Sequence, residues 1–598
     1  MVISFQSSRW RWLGGLALSA VLCGGGLAES GVLWLAASPV RDSGPDSAAP
    51  SNGPTIQTAP PDRALPPVDY DGEVRIPQER LDWHIPDPEF GRAGAGRALD
   101  EARRKNDRPT ITYITRLLER LDTIRRAEQL HLTLEDCLHR ALSNSYAIEV
   151  ERYNPAVETT RVVEAQAAFD AVFFTDIQKN KVDRPTGSQL ASSDLDYFDS
   201  NYGIRKLLPT GMQVSAAYGL QRTKSSLSFQ QINPEYFSDL ALEMRQPFLR
   251  GFGIDYNRSL ILLAKNDRRI SDLAFERQVR DTLRNVEELY WKLVQARRNA
   301  AITARLLADY EGIYDFLDAR QGFDITPVQL AATSANLEQS RYVFIQARAE
   351  VFDAEDRLTA VMNDPQINLA DDVEIIPDDV PQMSKIIVDR LAEAQTALDH
   401  RPEIHEQELR VANAEIAVGR AKNQELPVFD LTFRYTIDGL SGTADSSFDE
   451  MTRHNFVEYY VGVQLEMPIG NRGPRAASRG ARLRHSQAAS ALKSVFEEVI
   501  LDVNLSTRRL STNFDQLAPS FQAAQARERE VEAIVARAER KDLNTLNSEL
   551  GAREALANAR RAIVIAMVDY NIAVIDLERA KGTLLRYNNI IIPSTDQP

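Results

Sequence analysis

The sequence has 598 residues, of which 43% are apolar, and it carries a formal net charge of -15 at pH 7. Its length suffices for several hydrophobic cores. Its mean hydropathy of -0.33 is that of a protein exposed to water, which argues against a helical membrane protein. The negative charge argues against nucleic-acid binding, which needs a basic surface. The only cysteines are Cys23 and Cys137, so no disulfide framework holds the chain together.

The amino terminus has the layout of a secretory signal. Two arginines precede an apolar run at 13–22, and small residues follow it. This pattern predicts a signal peptide over residues 1–28 and an exported mature protein. Apolar residues continue to Ala37, so an uncleaved membrane anchor is a second interpretation. The bulky Leu22 immediately before Cys23 disfavours lipid modification of that cysteine.

Two segments separate the signal from the main body. Residues 29–96 are rich in proline, glycine, serine and aspartate without apolar periodicity, which predicts a disordered linker. Residues 97–130 carry apolar side chains at helical spacing and arginines elsewhere, which predicts a peripheral amphipathic helix. This helix either packs on the main body or binds anionic lipid through its arginines. Its apolar face consists of Ile111, Ile114, Leu117, Leu118, Leu121 and Ile124.

The main body repeats one plan twice. Two structural repeats are predicted, at 131–383 and 384–592, followed by a C-terminal tail at 593–598. Each repeat reads as two helices, then strands, then two long helices, and the strands are expected at about 171–250 and 428–468. A constant offset aligns Ala141-Leu142 with Ala397-Leu398, Ile148 with Ile404, Ala165 with Ala421, and Val172-Phe173 with Val428-Phe429.

The long helices show coiled-coil spacing. In the last helix, apolar residues recur in alternating steps of four and three, which is the period of a coiled-coil seam. A second stripe lies on nearly the opposite face, so a curved wall of helices explains the pattern better than a two-stranded coil. A helix from about Asp255 to Leu317 would span roughly 95 Å, enough to cross a periplasm. The seam is Ala552, Leu556, Ala559, Ile563, Ala566, Tyr570, Ala573, Leu577, Ala580 and Leu584, and the second stripe is Ile565, Val568, Ile572 and Ile575.

Strict alternation of apolar and polar residues marks the strands at 429–437 and 457–467. Their length suits a tilted transmembrane strand, and the alternation is typical of outer-membrane barrels. A half-buried sheet of a soluble protein shares this pattern, but the attached long helices favour a barrel. So few strands cannot close a barrel, and an open edge in lipid leaves backbone groups unpaired. The chain is therefore expected to oligomerise.

The sequence contains LTLE at 132–135, QPFLRG at 246–251, RPEI at 401–404, PIGNR at 468–472 and LERAKGTLL at 577–585. These motifs resemble those of TolC-like outer-membrane efflux channels, the outer membrane factors. The resemblance implies a mainly α protein with β strands. Long antiparallel coiled-coil helices would form a trimeric α-barrel tunnel, and short transmembrane strands would form a shared β-barrel. It also implies a homotrimer in outer-membrane lipid, a periplasmic adaptor (membrane fusion protein) and an inner-membrane pump as partners, and no cofactor.

The strand count departs from the family. Family members usually have four strands per protomer, but 172–179 and 202–208 also read as extended. Pro209-Thr210-Gly211 fits the turn of an added hairpin. Four and six strands per protomer both remain open at this point.

The resemblance also places two kinds of functional residue. The loops between long helices are the expected adaptor-docking tips, although Thr326 before Pro327 also fits plain helix capping. Where the family often narrows its tunnel with aspartates, this chain has different residues, so an acidic gate cannot be carried over. The tip residues are Gly322, Asp324, Thr326 and Pro327 in the first repeat and Asp542 and Leu543 in the second, and the constriction candidates are Ser548, Glu549 and Gly551.

The sequence therefore predicts the outer-membrane channel of a tripartite efflux or type I secretion system, located in the outer membrane of a Gram-negative-type bacterium and extending into the periplasm. The alternative is a periplasmic adaptor or coiled-coil scaffold of an export system, which would share the heptads but lack the alternating strands. No enzymatic role is expected. His400 and His405 are five residues apart, which does not place two metal ligands on one helical face.

Overall fold

The structure is a computed structural model, and all the residues it describes follow the predicted signal peptide. Cys23, most of the predicted linker and the C-terminal tail lie outside the described residues. No helix within the described ranges is long and apolar enough to cross a membrane. The described residues are 57–58, 88–105, 107–123, 128–185, 187, 192–227, 230–321, 325–367, 369, 373–537 and 543–592.

The chain is mainly helical, as predicted, and its strands are concentrated in one large sheet. The helices are α1 (Pro88–Lys105), α2 (Arg108–Asp122), α3 (Leu134–Asn144), α4 (Tyr146–Ala167), α5 (Ile254–Asp318), α6 (Pro327–Met362), α7 (Arg390–His400), α8 (Pro402–Gln424), α9 (Ala444–Thr452), α10 (Arg472–Arg537), α11 (Leu543–Lys581) and α12 (Leu584–Tyr587). The strands are β1 (Gln57–Thr58), β2 (Glu128–Leu132), β3 (Val172–Asp183), β4 (Asp194–Leu207), β5 (Gln213–Ser225), β6 (Glu235–Pro247), β7 (Val373–Pro377), β8 (Val428–Ser441), β9 (Phe456–Glu466) and β10 (Ile590–Ile591).

The predicted single helix over 97–130 is in fact two helices, α1 and α2, and α1 begins inside the segment predicted as linker. The break follows from capping chemistry. The carboxylate of Asp107 accepts a hydrogen bond from the hydroxyl of Thr110 at 2.6 Å, and a proline occupies the first turn of α2. A side-chain cap followed by proline favours a new helix start at this point.

The large sheet contains six antiparallel strands in the order β3-β4-β5-β6-β8-β9. Both additional extended segments are therefore strands, and the six-strand alternative is correct for this protomer. Residues 208–212 form the turn between β4 and β5, as the Pro-Thr-Gly sequence suggested, with Leu208 accepting from Gly211 N–H at 2.8 Å. Gly211 has a φ of +92°, a conformation that glycine adopts without strain.

Four helices join the sheet at one end, which we call the helix end. Helices α4 and α8 lead into β3 and β8, whereas β6 and β9 lead into α5 and α10. The opposite end, which we call the loop end, carries the β3–β4, β5–β6 and β8–β9 connections. Aromatic packing stabilises the helix end, where the rings of Phe248 and Phe429 lie 6.0 Å apart.

Two very long helices leave the helix end. Helix α5 has 65 residues and α10 has 66, so each spans about 100 Å at 1.5 Å per residue. Helix α6 packs beside α5, and α11 packs beside α10 and α5. The predicted extent of the first long helix is confirmed to within a residue at each end.

The predicted seam of α11 is confirmed by its burial. Every member from Ala552 to Leu584 is buried, except for the partly buried Ala559. The second stripe is only partly covered within one protomer: Val568 and Ile575 are buried, but Ile565 is 41% exposed. One apolar face of α11 is therefore buried within the chain, and the opposite face is partly exposed to solvent.

A buried charge cluster joins the long helices to the small parallel sheet of β2 and β7. Arg297 of α5 is fully buried, and its guanidinium lies 2.8 Å from the Glu374 carboxylate and 3.3 Å from that of Glu355. It also donates to the carbonyl of Ile375 at 3.1 Å. Because buried charges need such compensation, this cluster fixes the packing of α5, α6 and β7 together.

Candidate channel wall and helix tips

One face of the sheet is apolar over the half that is nearer the helix end. The strand register aligns Ile204, Ala216, Leu242 and Tyr435 across four neighbouring strands. In β9 the same face carries Val461 and, at 63% and 69% exposure, Val463 and Leu465. Because so many large apolar groups lie open on one surface, this face is suited to contact with lipid or another apolar partner. Its other members include Phe173, Ile177, Met244 and Phe433.

The opposite face is polar and held by cross-strand ion pairs. Both Nε and a terminal nitrogen of Arg245 bond the Asp430 carboxylate, at 2.9 and 2.6 Å. Arg434 bonds Glu243 directly opposite it in the register with the same two distances. Such paired, oriented charges are stable facing water and are costly facing hydrocarbon. The polar face is therefore suited to face water.

Acidic residues dominate the polar face toward the loop end. Asp239 of β6 lies directly opposite Asp438 of β8, and Asp199 of β4 and Glu458 of β9 lie on the same face of the sheet. The neighbouring Gly219 leaves space for the Asp239 carboxylate, because a Cβ there would overlap that group. The alternation in the sequence predicted a polar face, but only the register brings these carboxylates together.

Helix α9 covers the apolar face at the loop end and was not predicted. The hydroxyls of Ser447 in α9 and Ser238 in β6 are 2.7 Å apart and buried. The rings of Phe448 and Tyr218 meet edge to face at a centroid distance of 5.9 Å. Gly439 of β8 permits this contact, since a Cβ would overlap the α9 backbone. The signal in the sequence was Thr443, whose side chain caps the first turn of this nine-residue helix.

Both outer strands of the sheet have an open edge. Strand β3 pairs only with β4, and β9 pairs only with β8, among the described residues. Nearly all residues of both strands are exposed. An open edge presents a row of unpaired backbone N–H and C=O groups, which is a template for pairing with another chain.

The predicted tips lie at the far end of the long helices, but only part of them is described. Gly322, Asp324 and Asp542 lie outside the described residues, and α11 begins at Leu543. Thr326 caps α6, with its backbone N–H donating to Gln329 Oε1 at 2.9 Å, and Pro327 is the first residue of the helix. Both are exposed. Helix capping is therefore present, and it leaves this surface open to a partner.

The three constriction candidates have different surroundings. Ser548 and Gly551 lie on the exposed surface of α11. Glu549 is buried, and its carboxylate bonds Arg553 at 2.7 Å, while Arg553 also contacts Asp309 of α5 at 2.9 Å. Glu549 is thus part of the packing between α5 and α11. The sequence alone could not show this, because Asp309 is distant along the chain.

The N-terminal helices lie against the tip-side third of α5. Arg120 of α2 contacts Glu311 at 2.5 Å, and Arg116 contacts Asp315 at 2.5 Å. Burial, followed by the nearby charge of Asp309, raises the pKa of Tyr113 to about 12. Of the two interpretations of this segment, packing on the main body is the one observed within the protomer.

The histidines noted in the sequence do not form a metal centre. His400 Nδ1 lies 3.0 Å from the carbonyl of Thr396, and His405 Nδ1 lies 3.1 Å from Glu408 Oε2. Within the described part of the chain, no group of three or more His, Cys, Asp and Glu residues is arranged to hold a metal ion.

Comparison with known proteins agrees with this architecture. Residues 394–583 match the family model described as outer membrane efflux protein. Among curated protein sequences, none matches this chain. Similar solved structures include the CmeC outer membrane channel of Campylobacter jejuni, with 16% identity, a TM-score of 0.54 and coverage of 75% of this chain and 86% of that chain.

Two further structures have the same degree of likeness. The outer membrane protein VceC of Vibrio cholerae has 16% identity and a TM-score of 0.55, with coverage of 75% of this chain and 96% of that chain. The MtrE outer membrane channel of Neisseria gonorrhoeae has 15% identity and a TM-score of 0.54, with coverage of 75% and 89%. At such low identity the likeness is one of fold.

The family model describes outer-membrane proteins, which confirms the predicted location and a role in efflux rather than in enzymatic catalysis. The fold that the chain shares with these channels covers three quarters of its length. Residues 394–583 are similar in sequence to outer membrane efflux proteins, and a larger part of the chain is similar in fold to solved outer-membrane channels, which agrees with the TolC-like motifs.

Proposed function

We propose that this chain is one protomer of a homotrimeric channel that passively conducts solutes out through the outer membrane. The observation that carries the proposal is the six-stranded sheet with an apolar face, a polar face and two open edges. Backbone groups left unpaired in lipid cost several kcal/mol each, so a sheet placed there closes with other copies. The apolar face then contacts lipid, and the polar face lines water.

The long helices form the second part of the channel. Helix α5 starts seven residues after β6 ends and runs for about 97 Å away from the sheet. The α5/α6 and α10/α11 hairpins of three protomers would form a tunnel wall across the periplasm. The half-covered second stripe of α11 supports this arrangement, because Ile565 would be covered by a neighbouring helix of the wall.

We also infer that the two repeats arose by duplication of one unit. Helices α3 and α4 have 11 and 22 residues, and α7 and α8 have 11 and 23. Each pair leads directly into a long strand, β3 or β8. The equal order and nearly equal lengths support the sequence offset from which the repeats were predicted.

The partners of the channel are proposed from its geometry. A tripartite efflux or type I secretion system requires an adaptor and an inner-membrane pump at the periplasmic end. The tips meet this need, because the helix hairpins end there, far from the sheet. Thr326 and Pro327 are exposed, and the adjacent Val328 is 78% exposed, so this surface is accessible to a partner.

Cysteine labelling tests the orientation of the wall. Leu431 lies on the apolar face and Thr432 on the polar face of the same strand. With a membrane-impermeant maleimide on intact cells, Thr432→Cys should react and Leu431→Cys should be protected. The buried Cys137 should contribute little background. Equal labelling of both sites would favour a soluble sheet, as would a folded monomer by light scattering in mild detergent.

A bulky substitution tests docking at the tips. Gly322→Trp should abolish efflux while the trimer stays assembled, if an adaptor contacts this loop. Gly312→Trp is a matched control, since Gly312 is exposed on α5 with open space around its Cβ position. Efflux and heat resistance of the trimer are measured in the same cells. Retention of efflux in Gly322→Trp would contradict adaptor docking at this tip.

A further inference from the structure

We propose that the outer-membrane barrel is closed by six strands from each protomer, so that a trimer forms an 18-stranded barrel that admits wider solutes than a 12-stranded one. This inference rests on the proposed trimeric channel and adds to it the size class of the cargo that the barrel admits. It depends on the β4–β5 hairpin, because this hairpin adds two strands to the four per protomer that the resemblance implies.

The β4–β5 hairpin is part of the wall rather than an appendage on it. Strand β4 pairs with β3 without interruption from Val172↔Arg205 to Asp183↔Asp194. Strand β5 pairs with β6 from Gln213↔Arg245 to Thr223↔Glu235. Because both strands have paired neighbours on both sides along nearly their whole length, removing them would split the sheet.

The hairpin also follows the two-faced pattern of the sheet. Ile204 and Ala216 continue the apolar row that contains Leu242, whereas Asn201 and Gly219 continue the polar row that contains Asp239. A hairpin folded against the sheet or into the lumen would not need this alternation. Both of its strands are therefore suited to separating lipid from water.

The turn of the hairpin is fixed at the helix end. The carbonyl of Thr210 accepts a hydrogen bond from Gly253 N–H at 3.3 Å, just before α5 begins. A Cβ at Gly211 would overlap the carbonyl of Gly251, so the turn packs closely against this segment. The turn of the hairpin therefore lies at the same end of the sheet as the start of α5, and both of its strands run alongside the other strands of the wall.

The two open edges are complementary to each other. An even number of strands makes β3 and β9 run in opposite directions, and they have 12 and 11 residues. Pairing β9 of one copy with β3 of the next is therefore antiparallel, and it can keep both apolar faces on the same side. A second copy of this chain is therefore the partner that we assign to each edge.

Strand number sets the pore size. With strands about 4.8 Å apart and tilted by about 40°, 18 strands give a backbone diameter of about 36 Å, against about 24 Å for 12 strands. Barrels of 16–18 strands leave an open aqueous channel after side chains are placed. The barrel then does not limit cargo size, and the size limit lies in the helical tunnel.

Disulfide trapping in the full chain tests the closing seam. Val461→Cys in β9 is combined in turn with Phe173→Cys, Thr175→Cys or Ile177→Cys in β3, all on the same face. Within one protomer these strands are at opposite edges of the sheet, so a bond must join two copies. At least one pair should give covalent trimers on a non-reducing gel, because directly paired strands bring Cα atoms within disulfide range.

The matched control combines Val461→Cys with Val214→Cys or Ala216→Cys in β5, which already has two neighbours. Covalent trimers from the β5 pairs, with none from the β3 pairs, would mean that β3 and β4 leave the wall, and this would overturn the 18-stranded barrel. The mass of the uncrosslinked complex is measured first. A complex that is not a trimer would instead refute the proposed function on which the inference rests.

A size ladder tests the pore itself. Ala241→Cys on the polar face of β6 is labelled from outside with maleimide-polyethylene glycols of increasing hydrodynamic diameter. In a variant lacking residues 190–229, which removes the hairpin, the largest reagent that reacts should be smaller by about 12 Å in diameter. An unchanged cut-off in a correctly assembled deletion trimer would overturn the proposal. If the deletion does not assemble, the seam crosslinks decide alone.

Discussion

Replacing Glu287 by glutamine is expected to raise the stability of the protein, relative to the native protein, more at high pH than at low pH. Glu287 lies on α5 and is fully buried, and only one of its two carboxylate oxygens has a hydrogen-bond partner among the described residues. That oxygen accepts from Asn588 Nδ2 at 2.6 Å. Burial is the main cause that raises the pKa of Glu287, to about 7. The Asn588 hydrogen bond opposes this shift, and the charge of Glu578 adds to it.

The sign of the effect follows from linkage. A carboxyl whose pKa is raised by folding binds its proton more tightly in the folded state, so its stability contribution is complete below pH 4.5 and is lost as the pH rises to about 7. Between pH 5 and pH 8 the loss is about 2–3 kcal/mol, at about 1.36 kcal/mol per unit of pKa shift. Glutamine resembles the protonated acid and does not titrate, so Glu287→Gln removes this loss.

Thermal unfolding of the detergent-solubilised protein measures the effect at both pH values. With an unfolding entropy of about 2.1 cal/mol/K per residue, 2–3 kcal/mol per chain of this length corresponds to about 2 °C in Tm. The Tm difference between Glu287→Gln and the native protein should therefore be about 2 °C more favourable at pH 8 than at pH 5. Glu498→Gln, at an exposed glutamate, is the matched control. A difference that is the same at both pH values would refute the reasoning.

Three further substitutions probe separate parts of the structure. Arg297→Met leaves the Glu374 carboxylate buried without its cation and should cost about 3–5 kcal/mol, measured as a lower yield of folded protein and a lower Tm. An unchanged Tm would contradict a stabilising role of this cluster. Arg120→Ala removes a partly exposed ion pair with Glu311 and should cost at most about 1 kcal/mol of stability. Proteolysis of α1 and α2 should become faster. Equal proteolysis rates would show that this ion pair does not hold the two helices against α5. Gly439→Val should detach α9 from the sheet, because the added side chain would overlap the α9 backbone. Protease cleavage within α9 in intact cells should then become faster, while efflux is retained. An unchanged cleavage rate would count against close packing of α9.

Much of this protein was determined by the sequence itself, because its main signals are periodic. A two-residue period marked β8 and β9, and the alternating steps of α11 marked a seam that proved to be buried. The extent of α5 was also readable, since a long amphipathic helix repeats its signal many times. Strands β3 and β4 were found as additional extended segments. In each case the information lies in neighbouring residues, which share one backbone geometry.

The tertiary structure decided what depends on residues that are distant along the chain. Only the folded chain shows that Glu549, a predicted constriction residue, is buried beside Arg553 and Asp309 between two helices. Helix α9 was missed because nine residues provide too few turns for a clear period, and its position depends on contacts with β6 and β8. The edges of the sheet are likewise a property of pairing order. A backbone period is local, whereas burial, charge pairing and open edges exist only once the chain has folded.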